Sequence, residues 1–126
     1  MKNELQNRQS QVDIRKLSEL LILSVISRLG PVRLHDLVGG LKLATQGAKV
    51  PFFVGSTLRD QLQQYTAVDK LRSREQGFDL LYFVTPIAKR ELSHFDKLLK
   101  ESYPSILQIK SSKPIANSTV DRVTPR

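Results

Sequence analysis

The sequence has 126 residues, 40% of them apolar and 25% charged, with a formal charge of +8. That length holds one ordinary domain with a real core, and the composition excludes a disordered or fibrous chain. The lack of cysteine excludes disulfides and thiolate metal sites, while the positive excess points to polyanions, nucleic acid before anionic membrane.

Residues 1–12 are polar and read as a flexible arm or an extension of the first helix. Nothing in them has the form of a secretory signal, so a cytoplasmic location is expected. From Asp13, DIRKLSELLILSVISRLG repeats Ile14, Leu17, Leu21, Val25 and Leu29 at helical spacing. Leu20, Ile22, Leu23 and Ile26 widen this stripe into that of a central helix, or of one that also meets a partner subunit. Ser18, Glu19, Ser24, Ser27 and Arg28 interrupt the run, which is shorter than the roughly 20 apolar residues of a membrane span. No membrane partner is expected.

Gly30-Pro31 ends this helix and starts a second, about Pro31 to Leu41, which Gly39-Gly40 should stop early. Lys42 to Gly55 reads as a loop with a short extended piece pinned by Phe52 and Phe53. Ser56 is the expected cap of a third helix whose buried seam is Leu58, Leu62 and Tyr65. Two strands follow, about Val68 to Arg74 and Phe78 to Val84, joined through Glu75-Gln76-Gly77. Thr85 caps a last helix, with Pro86 at its first position and Ala88, Leu92, Phe95 and Leu99 on one face. Residues 102–126 are expected to form a basic, Pro/Ser-containing, disordered tail.

The expected fold is α+β and mainly helical: a winged helix-turn-helix over residues 13–101, with three helices, a two-stranded wing and a C-terminal helix. On the third helix, Ser56, Arg59, Asp60, Gln63 and Gln64 point away from the seam. Arg59, Gln63 and Gln64 have side chains suited to base edges in the major groove, and Ser56 and Thr57 suit a phosphate at the helix start. Asp60 opposes phosphate on this face; its ordinary role is an acid in the first helical turn. In the first strand, alternation sets Lys70, Arg72 and Arg74 on one side, a cationic row that either follows a phosphate backbone or guards a sheet edge. His35 and His94 have no companions at ligand spacing, and no nucleophile–base pair or glycine-rich phosphate loop is present. No metal, cofactor or enzymatic activity is therefore expected.

Three stretches carry a family resemblance: LILSVISRLGPVRLHDLV, VGSTLRDQLQQYTAVDKL and LLYFVTPIAKREL. Together they resemble the PadR-like winged-helix transcriptional regulators over about Leu20 to Leu99. The chain departs from that pattern at Leu34-His35, where the family has glycine-tyrosine, and at Arg59, where it has an aromatic residue. It also lacks the family's glycine before the wing. The resemblance implies a homodimeric regulator of double-stranded DNA, often a repressor, with terminal helices forming the dimer. On that reading Leu21, Val25, Leu92, Phe95 and Leu99 supply the dimer surface, and half-sites lie roughly 10 base pairs apart. A winged-helix module that binds an acidic protein is the alternative, and an RNA-associated protein a weaker one, since exposed aromatic residues are scarce.

Overall fold

The computed structural model describes residues 14–52 and 56–109, and its architecture is α+β and mostly helical. Helix α1 (Ile14–Leu29) is the centre. Leu20, Leu21, Ile22, Leu23, Val25 and Ile26 are all essentially inaccessible, so the helix is enclosed by neighbours on every side. Gly30 closes it with a φ of 80°, and its amide donates to the Ile26 carbonyl at 2.9 Å.

Pro31 does not open the second helix as expected. It precedes a two-residue strand, β1 (Val32–Arg33), and α2 spans Leu34–Ala44. Strand β1 forms because Val32 and Arg33 pair with Tyr82 and Leu81 of a distant strand, a contact that no local pattern announces. Helix α2 also continues through Gly39-Gly40 to Ala44 instead of stopping at Leu41. Gly40 rests against Val25 of α1, so the glycine serves a close helix–helix approach rather than a helix end.

No strand forms among the described residues of the following loop, and Phe53 lies outside them. The loop is tied to the C-terminal segment: Lys49 N donates to Ser102 O at 2.8 Å, and the Tyr103 hydroxyl donates to Pro51 O at 2.9 Å.

Helix α3 (Leu58–Ala67) is capped by Thr57, whose Oγ1 accepts from Asp60 N at 3.2 Å, one residue beyond the expected Ser56. Its other end is a Schellman turn. Lys70 N donates to Tyr65 O at 2.9 Å, Asp69 N donates to Thr66 O at 3.1 Å, and Asp69 takes a φ of 63°. Asp69 thus occupies the left-handed position that glycine would normally fill.

Strands β2 (Leu71–Gln76) and β3 (Asp79–Val84) then form a hairpin, from Leu71 opposite Val84 to Gln76 opposite Asp79. The two-residue turn is Gly77-Phe78 and not the expected Glu75-Gln76-Gly77, since Glu75 and Gln76 pair with Leu80 and Asp79; its positive φ only at Gly77 is the pattern of a type II′ turn. With β1 the sheet is three-stranded and antiparallel, in the order β1-β3-β2. Leu71, Tyr82, Val84 and Val32 line its inner face against the helices.

Thr85 binds both sides of the next junction: its Oγ1 donates to Asp69 O at 2.6 Å and accepts from Ala88 N at 3.3 Å. The final helix divides at Phe95 into α4 (Pro86–His94) and α5 (Asp96–Ser102). A short 3-10 turn, Pro104–Gln108, follows and packs on α2. Residues 102–109, expected as the start of a tail, belong to the core, with Tyr103, Ile106 and Ile109 buried. The expected arm at 1–12 and the remainder of the expected tail lie outside the described residues.

Candidate nucleic-acid interface

Helix α3 is anchored by Leu62 and Tyr65, both buried, with Leu58 half-buried at its start. The Tyr65 hydroxyl donates to Gln61 Oε1 at 3.1 Å. Burial, aided by the negative charge of Glu19, raises its pKa well above the ordinary tyrosine value, so it remains a neutral donor. The side opposite these anchors, including Arg59, Asp60 and Gln63, is exposed.

Arg59 and Gln63, one turn apart, line a groove of about 510 Å³ between α3, the start of α2 and the hairpin. Arg33, His35, Phe78 and Leu80 share that groove. Gln64 does not. It lies one residue further round the helix, in a second groove with Ser56, Gln61 and Tyr65 against Arg15, Lys16 and Glu19 of α1. Ser56 Oγ accepts from Gln61 Nε2 at 3.0 Å, and Thr57 is engaged in the cap. The expected reading set therefore separates, with Arg59 and Gln63 together beside the hairpin and Ser56 and Gln64 on the flank facing α1.

The cationic row separates too. Strand pairing begins at Leu71, and the Schellman turn aims Lys70 back at the helices. Lys70 Nζ contacts Glu19 of α1 directly and lies 3.2 Å from Glu91 Oε1 of α4, an ion pair without hydrogen-bond alignment. Lys16 Nζ contacts Glu91 as well and stands 3.4 Å from Glu19, which closes a four-residue, partly buried network. Burial alone would lower the Lys70 pKa, but its hydrogen bond to Glu19 and the nearby Glu91 carboxylate reverse that and hold it above the ordinary lysine value. Burial would likewise raise the Glu91 pKa, and Lys16 and Lys70 instead hold it below the usual carboxylate value. Lys70 joins three elements and is not presented to a ligand.

Arg72 is exposed, with Nε 3.4 Å from Asp69 Oδ1, and Arg74 is exposed on the same outer face of the sheet. The row is thus Arg72 and Arg74 alone.

Arg33 and Phe78 were not legible as neighbours of the α3 groove. Arg33 arrives there because β1 pairs with β3, and it is held by Asp36 at 3.1 Å and Asp79 at 3.6 Å. Phe78 is fully exposed at the tip of the hairpin. Its position in a two-residue turn was the available signal, since a side chain there has no strand partner to cover it.

None of the residues expected at a dimer surface is exposed on this chain. Leu21, Val25, Leu92 and Leu99 are buried in the chain's own core, and Phe95 is half-buried with its ring edge-on to His94 at 4.8 Å. The width of the apolar stripe on α1 is explained by its central position. Among the described residues no helix is long and apolar enough to cross a membrane. No family model, no curated protein and no solved structure matches this chain, so the likeness to PadR-like regulators rests on the three stretches quoted above.

Proposed function

We propose that this chain is a winged-helix protein that binds double-stranded DNA as a transcriptional regulator, with α3 in the major groove and the β2–β3 hairpin as the wing. The observation that carries this reading is the order helix, strand, helix, helix, hairpin, closed by a β1-β3-β2 sheet that sets Arg59 and Gln63 beside the wing. Arginine and glutamine make paired hydrogen bonds to guanine and adenine edges. Arg72 and Arg74 supply charge for flanking phosphates, which positions the helix without reading sequence. The overall charge of +8 favours the encounter with a polyanion. The resemblance to PadR-like regulators supports the same reading.

The fully exposed Phe78, near the half-exposed Leu80, favours a second reading in which the wing tip engages another protein.

The test is selection of bound duplexes from a randomised pool, followed by titration of the enriched and scrambled sequences at several salt concentrations. A preferred sequence should emerge, and Arg59→Ala or Gln63→Ala should reduce the preference by about 1–3 kcal/mol per lost base contact. Binding with no enrichment, or no binding at low salt, overturns the DNA reading and leaves the protein-docking one.

A further inference from the structure

Three cations converge beside the hairpin, in a groove that shares no lining residue with the α3 groove. Arg28 from the last turn of α1, Arg74 from β2 and Lys89 from α4 line a single open groove of about 450 Å³. None of the three has an ion-pair partner among the described residues. Five acids are engaged elsewhere: Glu19 and Glu91 with Lys16 and Lys70, Asp36 and Asp79 with Arg33, and Asp69 with Arg72. Asp60, Glu75 and Glu101 form no ion pair among the described residues, and none of them lines the groove. No residue lining the groove is acidic. Asp96, in the adjoining depression that shares Ser27, Arg28 and Lys89, is taken by Lys100 at 2.8 Å.

Three like charges brought together from three elements repel one another and disfavour the compact state unless an anion joins them. Ile26, Pro31, Phe83 and Val84 supply the apolar part of the lining, and an anion beside them is less fully hydrated than in open solvent, which strengthens its attraction to the three cations. The Ser27 residue adds a hydroxyl donor to the same wall. Two guanidinium groups and an ammonium match the several oxygens of a phosphate group better than the two of a carboxylate.

We propose that this groove is a phosphate-binding site, with Arg28, Arg74 and Lys89 as its ligands. It stands on the charge and shape of this face and not on the DNA reading. The phosphates come either from a duplex backbone passing beside the hairpin or from a free phosphorylated small molecule.

Inorganic pyrophosphate is the probe, followed by amide chemical shifts of the full chain. The expected result is perturbation confined to residues 27–30 and the neighbourhoods of Arg74 and Lys89. The triple variant Arg28→Gln, Arg74→Gln, Lys89→Gln should weaken pyrophosphate at least about 10-fold, while Arg59→Gln leaves it unchanged. Arg74→Lys, which keeps the charge, should retain most of the affinity and controls for folding. Duplex titration then separates the sources. A salt slope reduced by about 2–3 units in the triple variant, with pyrophosphate competing, assigns the site to the DNA backbone. An unchanged slope, or no duplex binding by the parent chain, assigns it to a free phosphorylated ligand. Shifts spread equally over Arg59, Arg90 and Lys97, or undiminished affinity in a folded triple variant, overturn the proposal.

Discussion

Gly40 faces Val25 so closely that a Cβ at Gly40 would stand 2.8 Å from Val25 Cγ1. Leu29 Cδ1 would be 3.2 Å away on the same side. Val25 is inaccessible and β-branched, so its side chain has little freedom to retreat. Gly40→Ala should therefore lower stability by about 1–3 kcal/mol, with overpacking exceeding the gain in helix propensity. Nothing lies within 4 Å of a Cβ at Gly39, so Gly39→Ala should raise stability by about 0.5–1 kcal/mol. Urea denaturation of the two variants should show opposite shifts in midpoint, and equal gains would contradict the close approach of α1 and α2.

The Lys70–Glu91 network gives stability a defined pH dependence. The folded Glu91 pKa lies below its ordinary 4.5, so its contribution is present above that value and is lost as pH falls through the depressed one. The folded Lys70 pKa lies above its ordinary 10.5, so its contribution is present below that value and is lost as pH rises through the elevated one. Lys70→Met should cost about 1–2 kcal/mol at neutral pH, with partial exposure holding the figure down. Thermal melts from acid to alkaline pH should show that the parent chain's advantage over Lys70→Met vanishes at both extremes.

Lys70 and Arg72, two residues apart, should respond oppositely in duplex binding. Arg72→Ala should reduce the salt slope by about 1 unit and leave the melting temperature unchanged, as expected of an exposed phosphate contact. Lys70→Met should lower the melting temperature and leave the slope of the remaining folded protein unchanged. Matching losses of slope in the two variants would restore Lys70 to the cationic row.

The segment after α5 should behave as core. Ile106 is 1% exposed, and Ile106→Ala should cost about 2–4 kcal/mol in chemical denaturation. Leu107, its neighbour, is 55% exposed, and Leu107→Ala should stay within about 0.5 kcal/mol of the parent. Equal, negligible effects would mean that residues 104–109 do not pack on α2.

Arg59 and Gln63 were legible as one exposed pair because a helix repeats every 3.6 residues and they stand one turn apart. Gln64 is exposed as well, as the same reasoning expects. Five residues carry it about 140° round the helix from Arg59, so it opens on the groove beside α1 and not on the one beside the hairpin. Lys70 was misread because the strand was started at about Val68, three residues before pairing begins at Leu71. The left-handed Asp69 ends the helical turn and reorients the chain before pairing starts at Leu71. The charged partners of Lys70 lie 51 and 21 positions away in sequence, beyond the reach of any local pattern.

Local chemistry in the sequence determined the central helix, the cap and proline at Thr85-Pro86, the glycine turn of the hairpin and the exposed Arg59–Gln63 face. Each depends on neighbours within one or two helical turns, where spacing and dihedral preference decide the outcome. Tertiary structure alone decided that Val32-Arg33 become a strand, that Gly40 admits α1 instead of ending α2, and that Tyr103 and Ile106 enter the core. It also decided which cations are neutralised and which converge unpaired beside the hairpin. Pairing and burial join residues far apart in the chain, and a charge has no partner until the fold brings one within reach.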